Sequence, residues 1–187
     1  MASTGSLITK KVIAYSLKDL LKTTPYQKIS IKDIMANAEY RRQTFYDHFT
    51  DKEDLIVWIY QQELTEIVEH FINYDHWTVI IKRLVDYFEK NKLFYQKTLL
   101  ESYIFDAQLS DQLKQFILYL LTTHHANGGK QTTTPNDTAS FYSFAITGTI
   151  KDWLFHDCQI DKNLLTSFIT NQLFLLLGEN KKTSLPS

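Results

Sequence analysis

Arg41, Arg42, Gln43 and Thr44 stand in a row, and Tyr46, His48 and Lys52 follow within the next eight residues. A guanidinium matches the O6 and N7 acceptors of guanine, and a carboxamide matches the N6 and N7 groups of adenine. Hydroxyl, imidazole and ammonium groups suit phosphate oxygens, which position a protein on a duplex without reading its sequence. These residue types in this order imply recognition of a polyanion with bases, provided that one element presents them on one side.

The surrounding pattern supplies such an element. Residues 29–49 read as two short helices and a tight connector. Ser30 can cap the first, with Asp33 at the third helical position, a Ser-x-x-acid arrangement. Ile31, Ile34, Met35, Ala38, Phe45 and Phe49 form the shared apolar side, and the second helix (41–49) then exposes Arg42, Gln43, Thr44, Tyr46, Asp47 and His48. A single helix fits the major groove, and its N-terminal residues meet the bases. An earlier helix with Thr9 as its N-cap carries the stripe Ile13, Leu17, Leu20 and Leu21 and ends before Pro25. Asp51 is expected to cap a fourth, long helix reaching residue 71 through Leu55, Ile59, Leu64, Ile67, Val68 and Phe71.

The rest of the chain reads as helices over 76–90, 93–102, 110–125, 138–156 and 161–177, with a polar loop over 126–137 and frayed segments at 1–6 and 178–187. Only five Gly and three Pro occur in 187 residues, too few for the tight turns of a sandwich or barrel, and no long strict alternation argues for a sheet. The expectation is an all-α chain: an N-terminal three-helix helix-turn-helix domain (8–50), then a C-terminal helical bundle that dimerises (51–178). The net charge is −1, yet residues 1–50 hold eight Lys/Arg against four Asp/Glu, which places the basic excess where a polyanion would be met. One cysteine, Cys158, cannot form an internal disulfide, which fits a reducing compartment. With neither an apolar leader nor an apolar run of 18 residues, a cytoplasmic protein without a membrane partner is expected.

Ser30, Asp33-Ile34, Ala38, Thr44-Phe45-Tyr46, His48-Phe49, Lys52 and Leu55 stand at the spacing of the TetR family's DNA-binding domain, and residues 8–56 resemble that domain. The resemblance implies a homodimer on a pseudo-palindromic operator in double-stranded DNA. Tyr46, His48 and Lys52 would touch phosphates, Ser30 would both cap its helix and meet the backbone, and Arg41, Arg42, Gln43 and Thr44 would lie at or near base edges. The chain departs from the family pattern at Glu39, where the turn glycine usually stands, at Arg41, a usual Ser/Thr cap, and at Gln43, usually small. The run 41–46 with Asp51-Lys52 and Trp58 resembles a subgroup of the family from low-GC Gram-positive bacteria, and within it the activators of dihydroxyacetone kinase operons. That narrower likeness implies a dihydroxyacetone-kinase-like co-activator protein as partner. Alternatives are a repressor of the same type released by a small apolar ligand, or a helical adaptor that binds protein and not DNA.

The helices over 138–156 and 161–177 are the expected dimer elements. Ala145 and Gly148 are small and nearly on one face, and Leu164, Leu165, Phe168, Ile169, Leu173 and Leu176 spread over an arc too wide to be covered from one side. Phe88, Phe94, Tyr95, Tyr103, Phe105, Phe116, Tyr119, Phe141, Tyr142, Phe144 and Trp153 are expected as a packed aromatic core, with a ligand pocket as the alternative. His124-His125 point about 100° apart on a helix, and His156 with Cys158 offers two ligands without a second pair, so no metal site is expected. Cys158 reads as a partly buried thiol. The chain has no Gly-rich phosphate loop, no Gly-x-Ser-x-Gly and no His-Glu-x-x-His, so it is read as a non-enzyme needing no cofactor.

Overall fold

The structure is a computed structural model and describes residues 4–68, 76–99, 103–124 and 134–178. Their regular elements are all helices: α1 (Thr4–Leu20), a 3-10 turn (Tyr26–Lys28), α2 (Ile31–Asn37), α3 (Arg42–Tyr46), α4 (Lys52–Val68), α5 (Trp77–Lys90), α6 (Lys92–Leu99), α7 (Ile104–His124), α8 (Pro135–Phe155) and α9 (Lys162–Leu177). No strand occurs among them, which bears out the all-α reading.

α1 begins earlier than expected. Thr9 is not its N-cap; its hydroxyl donates to the Gly5 carbonyl at 3.0 Å, as a Thr inside a helix does. Ile13, Leu17 and Leu21 are fully buried, so the predicted stripe is the one that packs, with Leu20 at its edge. α4 is described as far as Val68, and Phe71 lies outside the described residues. Asp51 does cap it, accepting from the Asp54 amide at 2.8 Å.

Two boundaries in the body differ from expectation. α7 starts at Ile104, six residues before the predicted start. α8 starts at Pro135, because Thr134 accepts from the Asp137 amide at 3.1 Å and Pro fits the first helical position, where no amide is needed. Residues 135–137 are therefore helix and not loop; 125–133, most of the expected loop, lie outside the described residues, as do 100–102, 1–3 and 179–187. Gly178 ends α9 in the left-handed conformation (φ 68°).

α7 lies along α8 and against α4, α5 packs on α9, and α6 sits between α5 and α8. The expected aromatic core is present in part. Tyr95 stacks on Tyr60 with centroids 5.4 Å apart and meets Phe88 edge-on at 4.8 Å, with Phe105 in the same cluster. Phe94, Phe116 and Trp153 are also buried. Tyr103, Phe141 and Phe144 are not core: they are 83%, 69% and 67% exposed.

Phe141 and Phe144 join Phe155, Leu164, Phe168 and Leu175 as exposed apolar side chains of α8 and α9. Gly148 lies among them on α8, and a Cβ added there would meet nothing within 4 Å. Leu165, Ile169 and Leu173 face inward. The wide apolar arc of α9 is thus split between an inner side that packs in the chain and an outer side that does not. Among the described residues no helix is long and apolar enough to cross a membrane.

Candidate nucleic-acid interface

α2 and α3 are too short to persist alone, since isolated helices this short are marginal in water. Their order comes from caps and a shared core. The Ser30 hydroxyl accepts from the Asp33 amide at 3.2 Å, and the Asp33 carboxylate accepts from the Ser30 amide at 2.9 Å and from its hydroxyl at 2.6 Å. This reciprocal box holds the Asp33 carboxyl below its ordinary range, the Ser30 hydroxyl bond being the larger cause and the Ser30 amide the next. Asp is long enough here to close it.

The connector ends α2 with paired bonds: the Tyr40 amide donates to Met35 O at 2.9 Å and the Glu39 amide to Ala36 O at 3.2 Å. That closure needs a left-handed residue, and Glu39 takes it with φ 58°. The departure from glycine leaves the turn in place and puts strain on Glu39.

Phe45 and Phe49 anchor α3. Both are buried, 5.5 Å apart, and Phe49 meets Trp58 of α4 at 5.9 Å. Ile34 and Met35 complete this small core, with Ile31 half-buried beside it. Ser16 of α1 donates to the Ile34 carbonyl at 2.6 Å and ties α2 to α1. With Phe45 pinned inward, Arg42, Gln43, Tyr46 and Asp47 are exposed, while Thr44 and His48 are half-buried at the margin. α3 covers only residues 42–46, shorter than the predicted 41–49. Arg41 is its N-cap, exposed and without a side-chain capping bond.

The eight expected contact residues are held differently. Arg42 and Tyr46, one turn apart, face each other: the guanidinium donates to the Tyr46 hydroxyl at 3.0 Å and stands 5.6 Å from its ring centroid. Ser30 turns its hydroxyl proton to Asp33. Lys52 points its ammonium inward, donating to Ile29 O at 2.7 Å and Tyr26 O at 3.2 Å, and lies 4.3 Å from the Tyr26 ring centroid. Lys52 thus ties the start of α4 to the segment that enters α2.

An open depression of about 610 Å³ runs beside α3, lined by Gln27, Lys28, Ser30, Lys32, Arg42, Asp51 and Lys52 among others. Four cations against one carboxylate make it attractive to phosphate. Lys28 and Lys32 were not among the expected contacts; the basic excess of residues 1–50 was their only signal. Lys10, which no sequence pattern singles out, places its ammonium 5.1 Å from the Phe49 ring centroid and 5.7 Å from that of Trp58. Away from this surface, Cys158 is half-buried, and burial, the largest cause, pushes its thiol up.

Comparison with known proteins agrees with the geometry. The family model for bacterial regulatory proteins of the tetR family matches residues 18–57, and the model for a transcriptional regulator C-terminal region matches residues 75–181. The HTH-type dhaKLM operon transcriptional activator DhaS of Lactococcus lactis subsp. lactis (strain IL1403) is 40% identical over 92 residues, 49% of each chain. The chain thus spans about half the length of that curated relative. A solved structure of a dihydroxyacetone kinase operon activator, DhaS, superposes with a TM-score of 0.79 at 26% identity, covering 92% of this chain and 97% of that one. The fatty acid degradation regulator FadR from Bacillus halodurans shares the fold, with a TM-score of 0.65 at 16% identity over 92% of this chain and 96% of its own. The matched families are transcriptional regulators and not enzymes. Likeness to the family extends well beyond residues 8–56, through most of the C-terminal bundle.

Proposed function

The chain belongs to the TetR family of bacterial transcriptional regulators, and from that premise we propose that it is a homodimeric activator of genes for dihydroxyacetone use. Residues 8–50 read a pseudo-palindromic operator in double-stranded DNA, and residues 51–178 dimerise and receive the signal. The observation that carries the DNA reading is the face of α3, where Phe45 is buried and Arg42, Gln43 and Tyr46 are exposed beside a basic depression. In this reading Arg41, Arg42, Gln43 and Thr44 meet base edges. Tyr46, His48 and Lys52 meet phosphates, and Ser30 caps α2 at the DNA backbone.

The outer apolar side of α8 and α9 supports the dimer. Phe144, Phe155, Leu164, Phe168 and Leu175 are all more than half exposed, a patch that a second copy would cover and so form a four-helix interface. The activator role and the dihydroxyacetone link rest on likeness to DhaS, in sequence and in structure. On the same likeness the partner is a co-activator resembling a dihydroxyacetone kinase subunit.

The test is selection of genomic DNA fragments on the purified protein, repeated with dihydroxyacetone and with a neighbouring kinase-like protein added. One palindromic site whose occupancy the partner changes supports the whole reading. A site indifferent to both keeps the regulator and removes the dihydroxyacetone link, and recovery of no specific site overturns DNA reading. On the selected site, Arg42→Ala and Gln43→Ala should each lose about 1–3 kcal/mol of discrimination at one base pair.

A further inference from the structure

α1 of the DNA-reading head lies against α4 of the body, and one α4 carboxylate there accepts from α1 and α5 directly and reaches α6 by relay. The Lys18 ammonium of α1 donates to Glu63 Oε1 at 2.6 Å and Oε2 at 2.7 Å, and to Asn91 Oδ1 at 3.2 Å, at the α5–α6 turn. It also stands 4.8 Å from the ring centroid of Phe94 in α6. The Tyr87 hydroxyl of α5 donates to the same Glu63 Oε2. With its one proton so used, Tyr87 accepts from the buried Tyr95 hydroxyl of α6 at 2.7 Å. Glu63 therefore closes a ring of directed bonds from α1, α5 and, by relay, α6. The side chains of Lys18 and Glu63 are 15% and 23% exposed.

We propose that Glu63 is a positioning residue for operator reading, holding the head (residues 8–50) at a set angle on the body. The proposal rests on the reading that this head faces DNA. Apolar seams between helices tolerate small slides, whereas charge-assisted bonds fix direction and length. Burial, the largest cause, pushes the Glu63 carboxyl above its ordinary range, and the Lys18 ammonium offsets part of that, so the group depends on its protein partners in place of water. The neighbouring Lys11–Glu66 pair also joins α1 to α4, at 2.9 Å, but its side chains are 40% and 51% exposed, and such pairs constrain little. Two heads held at set angles present a fixed span, which raises the effective concentration of the second head once the first is bound. A loosened joint leaves each head intact and lowers that concentration.

The experiment compares wild type, Glu63→Gln and Lys18→Met on a full palindromic operator and on a duplex with one half-site. A spin label at Asp47→Cys, in a Cys158→Ser background, reports the distance between the two heads of the dimer. Glu63→Gln should weaken full-site binding on the order of tenfold, leave half-site binding and its salt dependence unchanged, and broaden the label distance distribution. Lys18→Met should do the same, and Glu63→Gln should add little in its presence. A loss of helical signal or of half-site affinity in both variants would mean that the pair serves folding alone, and would overturn the proposal. So would an unchanged full-site to half-site ratio with an unchanged distance distribution. If no DNA were bound by any form, the functional reading would fall, while the label distances would still decide whether Glu63 sets the head.

Discussion

Lys52 holds two roles, of which the family resemblance implies only one, phosphate contact. If it served only to touch phosphate, its replacement by Met would leave the free protein as stable as before. In the structure its ammonium bonds two carbonyls, Ile29 O at 2.7 Å and Tyr26 O at 3.2 Å, and faces the Tyr26 ring. A hydrogen bond to a charged group contributes about 1.5–3 kcal/mol. The shorter bond sits in that range, the longer one well below it, and water can replace part of both because Lys52 is only half-buried. Lys52→Met should therefore cost about 2 kcal/mol, and for a chain of this size about 4–8 °C in melting temperature. Thermal and urea unfolding at fixed protein concentration without DNA would measure it. Lys32→Ala, an exposed cation of the same depression, is the control and should stay within about 0.5 kcal/mol of wild type. Equal melting temperatures for Lys52→Met and wild type would refute the structural role, leaving phosphate contact as the whole account of Lys52.

The same Lys32→Ala variant should lower the slope of log affinity against log salt on DNA by about one, read by titration at several salt concentrations. Glu39→Gly should stabilise by about 0.5–1 kcal/mol, the relief of a left-handed non-glycine less the added freedom of glycine in the unfolded chain; a urea midpoint at or below wild type would count against it. Phe168→Glu with Leu164→Glu should leave the protein folded but monomeric in sedimentation, because both side chains are exposed on α9. Asp33 supplies a pH dependence. Its folded carboxyl titrates below its ordinary 3.8, so its contribution is complete above that value and is lost as pH falls through the lower folded value. The urea midpoint of wild type should drop over that window more than that of Asp33→Asn, and parallel curves would remove the capping box as cause.

Local physics acts over one helical turn, and there the sequence was legible. Ser30 and Asp33 are three residues apart, so a capping box could be read from residue types, and the structure closes it. Ile13, Leu17 and Leu21 follow the helical period and are buried together. The polar run from Arg41 to His48, with Phe45 and Phe49 four apart, determined which side of α3 must face out. Where local signals were weak, boundaries moved: Thr9 gave a false start because its hydroxyl is satisfied equally well one turn back in the helix, at Gly5. Pro135 sits in a polar run that reads as loop, although Pro suits a first helical turn as well as a turn between helices.

Tertiary structure decided what depends on residues far apart in the chain. Lys52 finds its partners 23 and 26 residues earlier, and Lys18 finds Glu63 45 residues later; no period or spacing encodes such a meeting. The aromatic residues were divided in the same way, Tyr95 and Phe105 going inside and Phe141 and Phe144 outside. Composition counts apolar groups without saying which neighbour covers them. The sequence by itself determined that α9 is apolar over a wide arc. Only packing against α5 and α7 decided that Leu165, Ile169 and Leu173 close the core while Leu164, Phe168 and Leu175 remain outside it, because burial is a property of the neighbour as much as of the residue.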